Sequence, residues 1–371
     1  MSESTGTPKR SSLFRTAWLF YAIIVFEILF MISPAGLHFY AVYGPALDVL
    51  HGTAETAWLT TFYLPHFSFT SNPVLQAAKP IGFALLYTGL LAFAIGFVQI
   101  YWAKLRRRGH VVGGLYRWIR HPQYLALAVV GLGTSLVWPR FLVVLSYVTM
   151  LCLYSWLARR EEAACVERFG DSYRSYMAST GRFLPRALGR TRSGKLSTAG
   201  ALLRWALALG ATTLLAFVVR DFSLLHVSAH YERRAAVLSP ALLPGDELEA
   251  AYRLARQDMA VEKVLAQRPD RALLVYVLPE SWFLADLPAE TYQPGQSGHE
   301  TPVGFPRGLY KVLFTHPRTY AADAEGADIV RKAYGRDTLI LAHVNLETGE
   351  VLGVERPPTH VVWGDIPTPL F

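Results

Sequence analysis

The chain has 371 residues, of which 52% are hydrophobic and only 17% charged, with a formal net charge of +8. With a mean hydropathy of +0.25, this composition excludes a disordered chain and argues against a wholly soluble one. Two cysteines exclude a disulfide framework and a multi-cysteine zinc site. Excess Lys and Arg in a membrane protein orients the chain rather than recruiting nucleic acid, so no nucleic-acid partner is expected.

Residues 1–12 are polar and are expected to form a disordered tail without a signal-peptide cleavage site. Thr16–Ser33, interrupted only by Glu27, predicts a first membrane span. A second is predicted over Ile81–Trp102, a third over Tyr124–Trp138 and a fourth over Phe141–Ala158, the last two joined by a turn at Pro139 and Arg140. A fifth covers Ala201–Val219. The third and fifth are near the short limit for crossing. Between the second and third spans lie Lys104, Arg106, Arg107, Arg108, Arg117 and Arg120. Between the fourth and fifth lie nine more Lys and Arg residues, from Arg159 to Lys195. The long loop from Pro34 to Pro80 holds only Lys79. The positive-inside rule then places the N-terminus and both basic segments in the cytoplasm.

The remainder, residues 221–371, reads as an α+β domain on the outer, periplasmic face of a bacterial inner membrane. Asp246–Gln267 has helical periodicity with an acidic first turn. Arg271–Leu278 and Gly308–Phe314 read as strands, and Asp337–Leu346 and Val351–Glu355 as a hairpin. Pro288–Pro306 reads as a loop. The expected fold class is an all-α polytopic membrane core with an appended C-terminal α+β domain. Its divisions are a tail (1–12), a core (13–220, motif region 80–185) and the outer domain (221–371).

Chemistry concentrates in two stretches, Gly113–Leu125 (GGLYRWIRHPQYL) and Arg159–Pro185 (RREEAACVERFGDSYRSYMASTGRFLP). A helical hairpin turning at Pro139-Arg140 brings His121 and Pro122 beside Glu161 and Glu162. Pro122 restrains His121 from the helical region, so a helix starts there with free N–H groups suited to an acceptor-bearing ligand. Paired carboxylates suit a cation or a ribose diol. Tyr116 and Tyr124 offer flat faces for a purine, and Arg174 and Arg182 suit a carboxylate. S-adenosylmethionine carries a sulfonium, an adenine, a ribose diol and a carboxylate, and fits that list.

The stretches hold Gly114, Tyr116, Arg117, Arg120, His121, Pro122 and Tyr124, then Glu161, Glu162, Phe169, Gly170, Tyr173, Tyr176, Arg182, Phe183 and Pro185. In order and spacing they resemble the signature of the integral-membrane methyltransferases that include isoprenylcysteine carboxyl methyltransferase and the phospholipid N-methyltransferases. The resemblance covers about Pro80–Pro185 and implies use of S-adenosylmethionine on a lipophilic, membrane-embedded acceptor. It implies cofactor binding by His121, Pro122, Tyr124 and Glu162, with Tyr116, Arg120 and Leu125 in the same segment. It also implies catalytic roles for His121, Glu161 and Arg182. Two alternatives stand beside it: an NADPH-dependent membrane reductase of the sterol-reductase type, and an outer-face binding module anchored by a degenerate core.

Elsewhere, Glu27 is either a functional intramembrane carboxylate or a neutral packing residue. His226 and His230 would share a face if helical, as a metal pair requires, and otherwise belong to a polar juxtamembrane helix. Arg106–Arg108 are read as topology determinants, with recruitment of anionic lipid headgroups as the alternative. Trp58–Phe69 is read as an amphipathic interfacial segment or a substrate lid. Cys152 and Cys165 are read as small apolar fillers.

Overall fold

A computed structural model describes residues 34–35, 49–66, 68–106, 111–188, 197–281 and 305–357. The first predicted span with Glu27, Arg107, Arg108, and all but the end of the predicted loop from Pro288 lie outside the described residues.

Helix α1 (Pro73–Leu105) starts where the Asn72 side chain accepts from the N–H groups of Val74 (2.9 Å) and Leu75 (3.3 Å). Helix α2 (Pro122–Val137) starts with proline in its first position. Helix α3 (Phe141–Phe169) continues well past Ala158 and ends at Gly170, whose φ of 58° is a glycine conformation. The short α4 (Asp171–Ser179) follows. Helix α5 (Thr198–Leu224) is capped by the Ser197 hydroxyl, which accepts from Gly200 N–H at 3.1 Å. Among the described residues, three helices are long and apolar enough to cross a membrane: α1 over Pro73–Ala103, α3 and α5. The fifth predicted span is therefore a full 27-residue helix rather than a short one. The third is short: 16 residues at 1.5 Å rise give about 24 Å, below the roughly 30 Å hydrocarbon core.

Glycines set the α1–α2 contact. Gly82, Gly89 and Gly96 recur every seven residues on α1 and face Gly133, Val130 and Gln123 of the antiparallel α2. A Cβ on Gly89 would lie 2.8 Å from Val130 Cγ2, 2.9 Å from its backbone nitrogen and 3.0 Å from the Ala126 carbonyl. Small residues let membrane helices approach backbone to backbone, where dispersion replaces the absent hydrophobic drive. Gly89→Ala is expected to destabilise the bundle by about 1–3 kcal/mol through overpacking, measured by denaturant unfolding in mild detergent. Gly210→Ala on α5, where nothing lies within 4 Å, is the matched control and should not destabilise.

The C-terminal sheet has six strands in the order β1 (Ser228–Glu232), β2 (Ala235–Ser239), β3 (Leu273–Pro279), β4 (Leu309–Thr319), β5 (Ala333–Asn345) and β6 (Glu350–Glu355). Only β2 and β3 pair in parallel, joined through α6 (Gly245–Arg256) and α7 (Met259–Leu265). The predicted single helix is two because Asp258 caps a new one, accepting from the N–H groups of Ala260 and Val261. Val237, Val275, Val312 and Phe314 pack under these helices. The opposite face (Leu238, Leu274, Leu313, Leu341) packs against α8 (Ala327–Lys332) and against Leu224 at the end of α5. The β1–β2 hairpin overturns the helical reading around His230. His226 sits in the turn after α5 with its ring against the Phe222 carbonyl, and His230 lies in β1, so they share no helix face.

The segment Trp58–His66 is not an interfacial helix. Phe62, Tyr63 and Leu64 are buried, and Tyr63 and Leu64 pack in one cluster with Phe141 of α3 and Ala216 of α5. Phe62 bridges to Arg140, the Tyr63 N–H donates to the Pro139 carbonyl (2.8 Å), and the Phe141 N–H donates to Thr61 O (3.1 Å). The buried Arg220 near the end of α5 donates to the carbonyls of Val330 and Ala333 and to the Thr61 hydroxyl, each at 3.4 Å. The sheet domain is thus docked at the Pro139-Arg140 end of the bundle.

On the sheet's Leu313 face, Lys311 and His343 are register partners. His343 Nδ1 lies 3.0 Å from Glu280 and Nε2 3.1 Å from Glu355. The hydrogen bond to Glu280 raises the His343 pKa despite opposing burial, with Glu355 adding to the rise. A raised histidine contributes stability below its unfolded value of about 6.5 and loses it as pH rises through the folded value. Hydrogen exchange in β5 and β6 should therefore accelerate across that window. His343→Gln should flatten the dependence.

Candidate active site

The two motif stretches meet as a short parallel ladder. Ile119 bridges Gly181, Arg120 N–H donates to Gly181 O (2.9 Å), and His121 N–H donates to Arg182 O (3.1 Å). Gly181 is required for the close approach, since a Cβ there would fall 1.7 Å from the Leu184 carbonyl. The Tyr176 hydroxyl donates to Tyr116 O (2.6 Å), pinning α4 to the segment before α2. Gly114, at φ 63°, packs on Gln99 of α1, whose Oε1 accepts from Leu115 N–H (3.2 Å).

This frame gives the adjacent glutamates different surroundings. The Glu162 side chain is 4% exposed and carries two guanidiniums: Arg120 Nε at 2.7 Å and Arg182 Nη2 at 2.5 Å. Arg182 is bidentate, its Nε lying 3.1 Å from both carboxylate oxygens. Arg120 also donates to the carbonyls of Met177 and Thr180, which locks α4's end to the cluster. Glu161 is 49% exposed. It accepts from the Tyr124 hydroxyl and faces His121 Nδ1 at 3.5 Å. Only Glu161 of the pair is open to an incoming group. Arg182 is committed to Glu162, and Arg174 sits on the exposed side of α4 paired with Asp171, so the two do not form the expected carboxylate clamp.

His121 caps α2, 8% exposed, with its ring stacked on Tyr124 at 5.5 Å and 4°. Tyr124 stacks in turn on Tyr154 of α3 at 4.7 Å. Burial alone would lower the His121 pKa, but Glu161 and Glu162 outweigh it and hold it above its usual value. Burial, then Tyr176 and Glu161, push the Tyr116 hydroxyl pKa up, so it remains a donor. Three buried polar atoms here make no hydrogen bond: Tyr116 Oη, His121 Nε2 and Gln123 Nε2. His121 Nε2 approaches Glu162 to 3.4 Å without hydrogen-bond geometry. A buried polar group left unpaired costs about 1–3 kcal/mol, and such groups mark places where a ligand completes the network.

Tyr116, Arg120, His121, Pro122, Tyr124, Glu161, Glu162 and Arg182 therefore come together, with Leu125 in the first turn of α2, where its N–H donates to His121 O. Thr180, Gly181 and Tyr154 also belong to the site and were not expected, and Gln123, buried against Gly96 of α1, lies in the turn that opens α2. Gln123 was signalled only by its place beside Pro122, and Tyr154 only by its spacing of seven from Glu161.

The fold and cluster define a class: a helical membrane protein with a charged, partly buried cluster at one end of the bundle and an α+β domain at the other. Residues 94–172 match the family model described as phospholipid methyltransferase. Over 79 residues the chain is 35% identical to the protein-S-isoprenylcysteine O-methyltransferase of Schizosaccharomyces pombe. That stretch is 20% of this chain, and the chain spans a third (33%) of the relative's length. No solved structure matches the chain. The chain thus carries the signature of the isoprenylcysteine carboxyl methyltransferase and phospholipid methyltransferase superfamily in its motif region.

Proposed function

We propose that the protein is a membrane-embedded methyltransferase using S-adenosylmethionine on a lipophilic acceptor. The observation that carries this reading is the open carboxylate of Glu161 beside the buried Tyr116 hydroxyl, which makes no hydrogen bond, in the segment that resembles the methyltransferases. These residues fit the cofactor's chemistry: Glu161 suits a cationic group, and Tyr116, Gln123 and the N–H groups opening α2 suit its acceptor atoms. Bound there, S-adenosylmethionine would supply a methyl group on a positively charged sulfur.

The chain's own residues then position and screen. The Arg120–Glu162–Arg182 cluster fixes α2, α3 and the Gly181 turn relative to one another. Glu161 faces the cationic centre. It receives a proton at its carboxylate when the acceptor is an amine or thiol, while a carboxylate acceptor needs no base. His121 is engaged by both glutamates, with Nδ1 3.5 Å from Glu161 and Nε2 3.4 Å from Glu162, so Glu161 is more open than His121 for that role. The distribution of Lys and Arg supports a cytoplasmic site and an outer sheet domain.

S-adenosylmethionine and its demethylated product should each raise the melting temperature of the purified protein. Methyl-labelled cofactor with a membrane lipid extract should label a lipid-soluble product. A shift with NADPH and none with either methyl-cycle compound would overturn this assignment.

A further inference from the structure

Arginine is used in two ways along this chain. In the sheet domain, Arg233 pairs with Glu325 at 2.8 Å, Arg307 with Glu247 at 2.7 Å and Arg318 with Asp337 at 2.7 Å. At the site end of the bundle, Arg106, Arg117, Arg159, Arg160, Arg168 and Arg186 are exposed, and among the described residues none of them makes an ion pair. Carboxylates at that end are engaged elsewhere: Glu162 by Arg120 and Arg182, Asp171 by Arg174, and Glu161 by Tyr124 and His121. At the opposite end of the bundle, Arg140 and Arg220 are buried. Exposed positive charge without a counter-charge is therefore concentrated at the site end.

Three of these arginines lie over exposed indoles. Arg106 sits 4.3 Å from the Trp102 ring, Arg160 4.7 Å from Trp156 and Arg117 5.7 Å from Trp118. They share a level. Helix α3 leaves the sheet-domain end at Phe141, and its rise carries it about 22 Å to Trp156 and about 28 Å to Arg160. The hydrocarbon core is roughly 30 Å thick, so this pair falls at its far boundary. On α1, Gly96 faces Gln123 in the first turn of α2, and Trp102 and Arg106 lie about 9 and 15 Å further on. Trp118 comes just before that turn. An indole suits this boundary, and a guanidinium beside it reaches outward along its own apolar stem. Its planar fork matches a phosphate. A zwitterionic headgroup would bring its own ammonium among unpaired arginines, whereas a headgroup of net negative charge brings only the phosphate.

We propose that the site end of the bundle binds anionic phospholipids, with the Arg106–Trp102, Arg117–Trp118 and Arg160–Trp156 pairs holding their phosphates. Arg160 is the residue before Glu161, so the bound lipid borders the site. The proposal stands whether or not the site transfers methyl groups. The test titrates the full chain, in a non-ionic detergent, with phosphatidylglycerol or with phosphatidylcholine of the same chains and reads the melting temperature. Phosphatidylglycerol should raise it saturably and phosphatidylcholine should not. The response should weaken between about 50 mM and about 500 mM salt, as screening shortens the reach of exposed charges. Combining Arg106→Gln, Arg117→Gln and Arg160→Gln should raise the half-saturating phosphatidylglycerol concentration roughly tenfold or more, at an unchanged lipid-free melting temperature. Arg233→Gln with Arg318→Gln, in the sheet domain, should leave the lipid response as it is. Inorganic phosphate and glycerophosphoglycerol, the headgroup without chains, should give no shift. Equal responses to the two lipids, or an undiminished response in the triple variant, overturns the proposal. A shift with inorganic phosphate equal to that with phosphatidylglycerol overturns the lipid as the partner.

Discussion

Glu162→Ala should unfold the site. The substitution leaves Arg120, with 4% of its side chain exposed, and Arg182, at 14%, without the carboxylate that offsets their desolvation. Removing one partner of a buried ion cluster typically costs about 3–5 kcal/mol because the remaining charge is stranded. The loss would be read as a lower denaturation midpoint in mild detergent, with binding of S-adenosylhomocysteine abolished. A triple variant, Arg120→Met, Glu162→Leu and Arg182→Met, separates stability from recognition. Replacing all members with apolar side chains of similar volume should restore much of the stability. Retained cofactor binding and a wild-type midpoint in Glu162→Ala would show that the cluster does not organise this end of the bundle.

Glu161→Gln should do the opposite: leave the fold nearly intact and remove transfer. Its carboxylate is half exposed, contacts Tyr124 and His121, and carries no guanidinium. Glutamine keeps the shape and an acceptor for the Tyr124 hydroxyl, so the denaturation midpoint should stay within about 0.5 kcal/mol of wild type. Loss of the charge facing a cationic centre, and of a proton acceptor where one is needed, should lower methyl transfer about 100-fold or more. The measurement is single-turnover transfer with labelled cofactor. Transfer within a factor of two of wild type would remove Glu161 from the machinery. The two neighbours thus differ in kind: one organises the site through stability, the other acts at it.

Much of this division is invisible in the sequence. Adjacent glutamates on a helix point about 100° apart, so one of Glu161 and Glu162 must face away from whatever the other faces. Which one meets arginine depends on where the Thr180–Arg182 turn lands, and that is set by the Ile119–Gly181 ladder and by Arg120 reaching the carbonyls of Met177 and Thr180. The sequence therefore listed the residues while their partition waited on the tertiary contact. Arg182 illustrates the same limit: its type and spacing suggested a ligand for a cofactor carboxylate, yet Glu162 occupies it. Gln123 was passed over because a lone glutamine in an apolar helix has no periodic signal, although its burial without a hydrogen-bond partner makes it informative.

The C-terminal region shows the limit at the level of elements. The β1–β2 hairpin follows α5 after only a short turn, and its short strands were masked by the polar residues of Ser228–Glu232. The aromatic loop from Trp58 looked like a segment for the membrane interface, since Trp, Phe and Tyr suit that setting. They serve equally well as a buried cover on the end of a helical bundle, and Phe62 and Tyr63 take that role against Pro139, Arg140 and Ser135. Composition does not distinguish the two uses, because both bury an aromatic ring and satisfy a polar tip.

What the sequence determined by itself is the separation of charge. Residues 1–220 hold 22 basic and 8 acidic side chains, a balance of +14, and residues 221–371 hold 14 basic and 20 acidic, a balance of −6. Apolar runs of membrane length, the prolines and glycines that end them, and the spacing of the motif residues follow from local chemistry and could be read in order. Only the tertiary structure decided which glutamate is clamped and which is open, and which carboxylate each arginine meets. Each of these depends on contacts between residues distant in the chain, whose angles and depths no local pattern encodes.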